Sequence, residues 1–81
     1  MTHALKTIQP YYAEVISGLK TFEVRKADRP FKVGDTLLLQ EYLSEGGYTG
    51  LEEKFEIIYI LSGGQFGIEK DYCVLGIKEI N

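Results

Sequence analysis

The segment "GLKTFEVRKADRPFKVGD", residues 18–35, gathers the side chains best suited to chemistry. Five of the nine cationic residues, Lys20, Arg25, Lys26, Arg29 and Lys32, fall within it beside Glu23 and Asp28, in a chain of formal charge −3. Glu23 and Arg25 stand two residues apart, so on a strand they share one face at a backbone spacing of about 7 Å. The guanidinium is a planar fork of donors that matches a phosphate or carboxylate. The carboxylate accepts hydrogen bonds, including those of an exocyclic amine such as cytosine's. The same spacing also describes a salt bridge at a barrel mouth, worth under about 1 kcal/mol if exposed.

Lys20 opens the same strand and has three readings: an anion-binding cation, a solvated side chain, or a general base. The last requires the amine to lose its proton near neutral pH, which nearby Arg25 and Lys26 favour and Glu23 opposes. Regular alternation sets Lys20 and Glu23 on opposite faces, so only an irregular strand start or a bulge would bring both into one pocket. In the following loop, Lys26 and Arg29 are candidate phosphate contacts, while Asp28 beside Arg29 also fits a turn-stabilising pair. Phe31 reads as an apolar anchor for that loop, with a base-stacking platform as its other reading.

Tyr48 and Thr49 lie in the glycine-rich "EGGYTG". Tyr48 is a candidate stacking platform, and base stacking contributes about 1–3 kcal/mol per base in single-strand binders. Packing back on the barrel is the other reading of that ring. Glu41 reads as an exposed strand end that can offer a second carboxylate, and His3 as a structural or exposed histidine or, alternatively, a hydrogen-bonding group near the site. His3 and Cys73 are the only imidazole and thiol, which leaves no Cys/His zinc set and no local signature of a nucleophile system. No calcium loop or phosphate-cradling glycine loop is present, so neither metal nor cofactor is expected.

The elements that must position these side chains follow from periodicity. "HALKTI" alternates and predicts a first strand. "QPYYAEVISG" predicts a short helix, with Pro10 in its first turn and Gly18 just past its end. Tyr12, Val15, Ile16 and Leu19 form its expected buried face. "KTFEVR" predicts a strand with Phe22 and Val24 towards the core and Thr21, Glu23 and Arg25 on the other face. Pro30 marks "KADRPFKVGD" as a loop. "TLLLQEY" predicts the third strand, "LSEGGYTG" a loop, "EKFEIIYIL" a strand buried on both faces, "SGGQFGIEKD" a loop, and "YCVLGIKEI" the last strand. The expected fold class is α+β: an open barrel of about five mostly antiparallel strands, curled to hide its edges, with one helix between the first two.

At 81 residues the chain predicts a single domain, 1–81. An apolar content of 44% fits a folded protein. No apolar run approaches the ~20 residues of a membrane span, and "MTHALKTIQP" lacks a secretory leader, so a cytoplasmic location is expected. A small cationic site in an acidic body suits one anionic or nucleobase-bearing ligand better than a long polyanion gripped through many phosphates.

The order strand–helix–"GLKTFEVR"–loop–"VGD"–strand resembles the ASCH domains of the PUA-like superfamily, and within them a small bacterial and phage branch of unknown function. The matching positions are His3, Leu5, Lys6, Gly18, Lys20, Thr21, Glu23, Arg25, Lys26, Asp28, Arg29, Phe31, Val33, Gly34, Asp35, Tyr48, Thr49 and Gly50. One position departs from the pattern: its usual asparagine is Ala27 here. The resemblance implies a PUA-like pseudobarrel that holds RNA, a nucleotide or a modified nucleoside in a cleft between barrel and helix, with Lys20, Glu23, Arg25, Lys26, Arg29, Tyr48 and Thr49 as the binding set. Some small ASCH proteins are amidohydrolases of acylated cytidines that use an early lysine. The alternative function is therefore hydrolysis of an N-acylated nucleoside, with Lys20 and Glu23 as catalytic groups. A protein-interaction module, such as a phage accessory protein, is a third reading.

Overall fold

A computed structural model of the chain describes residues 1–80. Among these residues five strands and one helix occur, in the order β1 (Thr2–Ile8), α1 (Tyr11–Ile16), β2 (Phe22–Lys26), β3 (Thr36–Leu43), β4 (Gly47–Ser62) and β5 (Tyr72–Glu79). They form one mixed sheet ordered β1-β3-β4-β5-β2. β1 runs parallel to β3, and the other neighbours are antiparallel. The sheet is a half-barrel. Its two edge strands, β1 and β2, lie at opposite ends of the strand order, yet Arg25 of β2 reaches the backbone of β1. Among the described residues, no helix is long and apolar enough to cross a membrane.

Alternation explains the inner face. His3, Leu5 and Thr7 of β1, Leu37 and Leu39 of β3, and Cys73, Leu75 and Ile77 of β5 all point inward at period two and are buried. β4 adds Phe55 and Ile57 before its register shifts between Ile57 and Tyr59. The shift turns Ile60 back to the core and leaves Ile58 and Tyr59 exposed. The expectation that this strand is buried on both faces is therefore corrected: the bulge, not a second covering layer, accounts for the apolar run. β4 also begins earlier than its hydropathy suggests. Residues expected to form a glycine-rich loop pair with β3, Tyr42 opposite Tyr48 and Leu43 opposite Gly47, around a turn at residues 44–46.

Helix α1 packs against β1 and β3 through Tyr12 and Val15. Ile16 and Leu19, expected on the same buried face, are exposed because the helix ends at Ile16. Pro10 is the residue before the first turn rather than within it. Gly18 adopts φ +85°, a left-handed conformation open to glycine, and the N–H groups of Leu19 and Lys20 both return to the Glu14 carbonyl. That reversal leaves Lys20 outside β2, just before the strand begins at Phe22.

At the far end of the half-barrel, His3 and Asp35 share a buried 2.8 Å hydrogen bond, and the His3 ring packs edge-on against Phe31. Asp35 also accepts the Lys32 N–H, and the Met1 amino group lies 3.2 Å from its other oxygen. His3 and Phe31 are thus packed into the structure, as the structural readings anticipate.

Candidate functional site in the seam between the edge strands

In β2 the facing is the reverse of that expected. Glu23 is only 3% exposed, whereas Phe22 and Val24 are 44% and 48% exposed. The register with β5 supplies the reason: Glu23 lies opposite Leu75 and Arg25 opposite Cys73, both inward-pointing residues. Phase cannot be read from hydropathy here, because the barrel interior at this mouth is polar and the apolar pair lines a wall outside it.

Glu23 is held from two sides. Its Oε1 accepts Arg25 Nε at 3.0 Å and Nη2 at 2.7 Å, while its Oε2 pairs with the Lys20 ammonium. Lys20 Nζ also donates to the Phe22 carbonyl at 2.6 Å. Lys20 and Glu23 therefore converge, and the irregular strand start is the cause: β2 begins at Phe22, after the turn at Gly18, so period-two facing does not extend back to Lys20. A buried carboxylate is stable only when charges and hydrogen bonds compensate its lost hydration, and two cations do so here.

Arg25 has a second task. Its Nη1 donates to the Lys6 carbonyl at 3.0 Å and its Nη2 to Thr7 Oγ1 at 3.2 Å. Four of the interactions open to the fork are thus already made inside the protein. The guanidinium is not free to clamp a ligand phosphate with two parallel bonds; it fixes Glu23 and ties β2 to β1.

The seam between those strands opens as a cleft of about 530 Å³ lined by Lys6, Thr7, Ile8, Tyr11, Lys20, Phe22, Glu23, Val24 and Arg25. Its floor is polar, made by Glu23, Arg25, Thr7 and Lys20. Its walls are apolar and aromatic, with Ile8 and Tyr11 on the side of β1 and α1 and Phe22 and Val24 on the side of β2. The Lys20 ammonium lies 5.0 Å from the Phe22 ring centroid and 6.0 Å from that of Tyr11. Apolar walls over a few fixed polar groups are the usual build of a small-molecule site, and about 300–1,000 Å³ is the usual size.

The other expected site residues fall elsewhere. Lys26 and Arg29 line a smaller depression with Leu5, Arg25, Asp28 and Phe31. Arg29 Nη1 donates to the Ala4 carbonyl at 3.1 Å, a second tie between the loop after β2 and β1. The Ala27 N–H bonds the Asp71 carbonyl, so that turn is shaped by backbone without an asparagine side chain. Tyr48 packs edge-on against Tyr42 at 5.0 Å and lines a separate depression with Gln40 and Glu41. Thr49 Oγ1 donates to Glu41 at 2.7 Å, and Gln9 donates to the other Glu41 oxygen. These bonds, that of Thr49 foremost, hold the Glu41 carboxyl below its ordinary range. Tyr48 and Thr49 are not part of the cleft lining.

Lys6, Thr7, Ile8, Tyr11, Phe22 and Val24 are cleft residues that sequence reasoning did not place in a site. One signal was present: Tyr11 lies off the helix face that buries Tyr12 and Val15 and is 48% exposed, as an aromatic on the open side of a short helix must be.

A family model described as a domain of unknown function, DUF3850, matches residues 2–77. That range takes in β1 to β4 and most of β5. The chain is also 42% identical over 48 residues to a curated protein of Escherichia phage P2 described as an uncharacterized 12.9 kDa protein in the GpA 3′ region. The aligned stretch covers 59% of this chain and 43% of that relative.

Proposed function

The chain belongs to that family of domains of unknown function, and from its own geometry we propose that it binds one nucleobase-bearing unit in the seam between β1 and β2. The unit is a free nucleotide, a modified nucleoside or a single nucleotide of an RNA, held in the cytoplasm by a PUA-like half-barrel of the ASCH kind. The observation that carries this reading is the buried Glu23 carboxylate, fixed by Lys20 and Arg25 at the floor of an aromatic-walled cleft. A fixed carboxylate accepts the hydrogen bonds of a base edge, and the exposed rings of Tyr11 and Phe22 offer stacking faces. The experiment is a backbone NMR titration with the four 5′-mononucleotides and short single-stranded RNA. Shifts are expected at residues 6–8, 11 and 20–25. Their absence at millimolar ligand would overturn the reading.

The contact between Lys20 and Glu23 favours a second reading, hydrolysis of an N-acylated nucleoside such as an acylcytidine. In that reaction water adds to the amide carbonyl, the C–N bond breaks, and a proton passes to the departing amine. In this reading Glu23 or Lys20 carries that proton. Incubation with N-acylcytidines would give turnover in the wild type and none in Lys20→Ala. Equal turnover by both removes Lys20 from the reaction, and no turnover by either removes the activity.

A further inference from the structure

The three cations of the cleft are not equivalent. Lys20 and Arg25 share the Glu23 carboxylate and spend most of their donors on protein acceptors. Lys6, outward-facing on β1, also lines the cleft. Among the described residues its ammonium forms no ion pair and donates no hydrogen bond; it rests 4.6 Å from the Tyr42 ring centroid. A ring face steadies a cation without neutralising it.

We propose that Lys6 anchors a phosphate monoester, so that the unit held in the cleft is a nucleoside monophosphate rather than a bare nucleoside. The inference rests on the nucleobase reading of the same cleft. Charge complementarity carries it. Lys6, Lys20 and Arg25 face a single carboxylate, and a phosphate monoester brings a charge of about −1.5 to −2 at neutral pH. A phosphodiester within an RNA strand carries one negative charge and a nucleoside none, so neither matches the surplus as well. Lys6 lines the β1 side of the cleft with Thr7 and Ile8, and its ammonium, now over Tyr42, turns into the cleft to meet the phosphate of a base lying over Glu23.

The experiment compares the four nucleosides with their 5′-monophosphates by calorimetry at low salt, on the wild type, Lys6→Gln and Lys6→Arg. Lys6 is exposed, so both variants retain the fold, and thermal melting checks that they do. For at least one base the monophosphate is expected to bind about 10-fold or more tightly than the nucleoside, the scale of one charge-assisted hydrogen bond. Lys6→Gln removes most of that advantage, and Lys6→Arg keeps it. A nucleoside that binds as tightly as its monophosphate, or an advantage that survives Lys6→Gln, overturns the role of Lys6 while the cleft reading stands. Binding by neither ligand class overturns both.

Discussion

Arg25 Nη1 donates to the backbone carbonyl of Lys6 at 3.0 Å, joining the two edge strands through a side chain where the named strand pairings supply no ladder. The same guanidinium grips Glu23 on its inner side. One residue therefore closes the half-barrel and sets the floor of the cleft, which couples the stability of the seam to the geometry of the site.

Arg25→Lys keeps the charge and loses the fork. A lysine cannot serve Glu23, Lys6 and Thr7 together, so the variant should lose about 2–3 kcal/mol of stability and melt roughly 10–20 °C lower. Local effects separate this account from general damage. Hydrogen exchange should quicken most at residues 6–8 and 22–26, with the Leu37–Leu39 and Leu75–Ile77 amides changed least. Uniform acceleration across the sheet would contradict the seam role.

The same coupling explains what the sequence made legible. β1, β3 and β5 are legible as strands from alternation and apolar runs, and the loop containing Pro30 and the short helix before "GLK" stand where punctuation puts them. β2 was phased backwards because hydropathy assigns Phe22 and Val24 to the interior. Only the pairing with Cys73 and Leu75 shows that Glu23 and Arg25 point in. The convergence of Lys20 on Glu23 depends on where β2 begins, and the end of helix α1 decides that. Lys6 is not legible as a cleft residue because its place follows from how the edges of β1 and β2 meet, a matter of geometry that residue types do not carry.

Acid stability should trace to the opposite end of the half-barrel. The hydrogen bond from His3, then those from the Met1 amino group and the Lys32 N–H, hold the Asp35 carboxyl below its ordinary range despite opposing desolvation. A carboxyl whose folded value is depressed stabilises the protein above its unfolded value of about 3.9, and that contribution is lost as pH falls through the folded value. Urea unfolding between pH 6 and pH 2 should show stability falling through this window in the wild type. Asp35→Asn should be less stable at pH 6 and flatter below about pH 4. Parallel profiles for the two proteins would contradict the assignment.

Cys73 should behave as a packed thiol. It is buried on β5 opposite Arg25, and its thiol is pushed up chiefly by burial and secondarily by the Asp28 charge. At pH 8 the native protein should react with a disulfide reagent about 100-fold or more slowly than the urea-unfolded chain, because reaction waits for opening of the strand. Comparable rates in the two states would place the thiol at an accessible surface.

The most direct measurement is a crystal structure of the protein grown with the 5′-mononucleotide that calorimetry ranks tightest. The account predicts the base between the β1 and β2 walls, within hydrogen-bond distance of Glu23, with its phosphate at Lys6. A ligand seated instead in the depression beside Glu41 and Tyr48, with the seam empty, would contradict it.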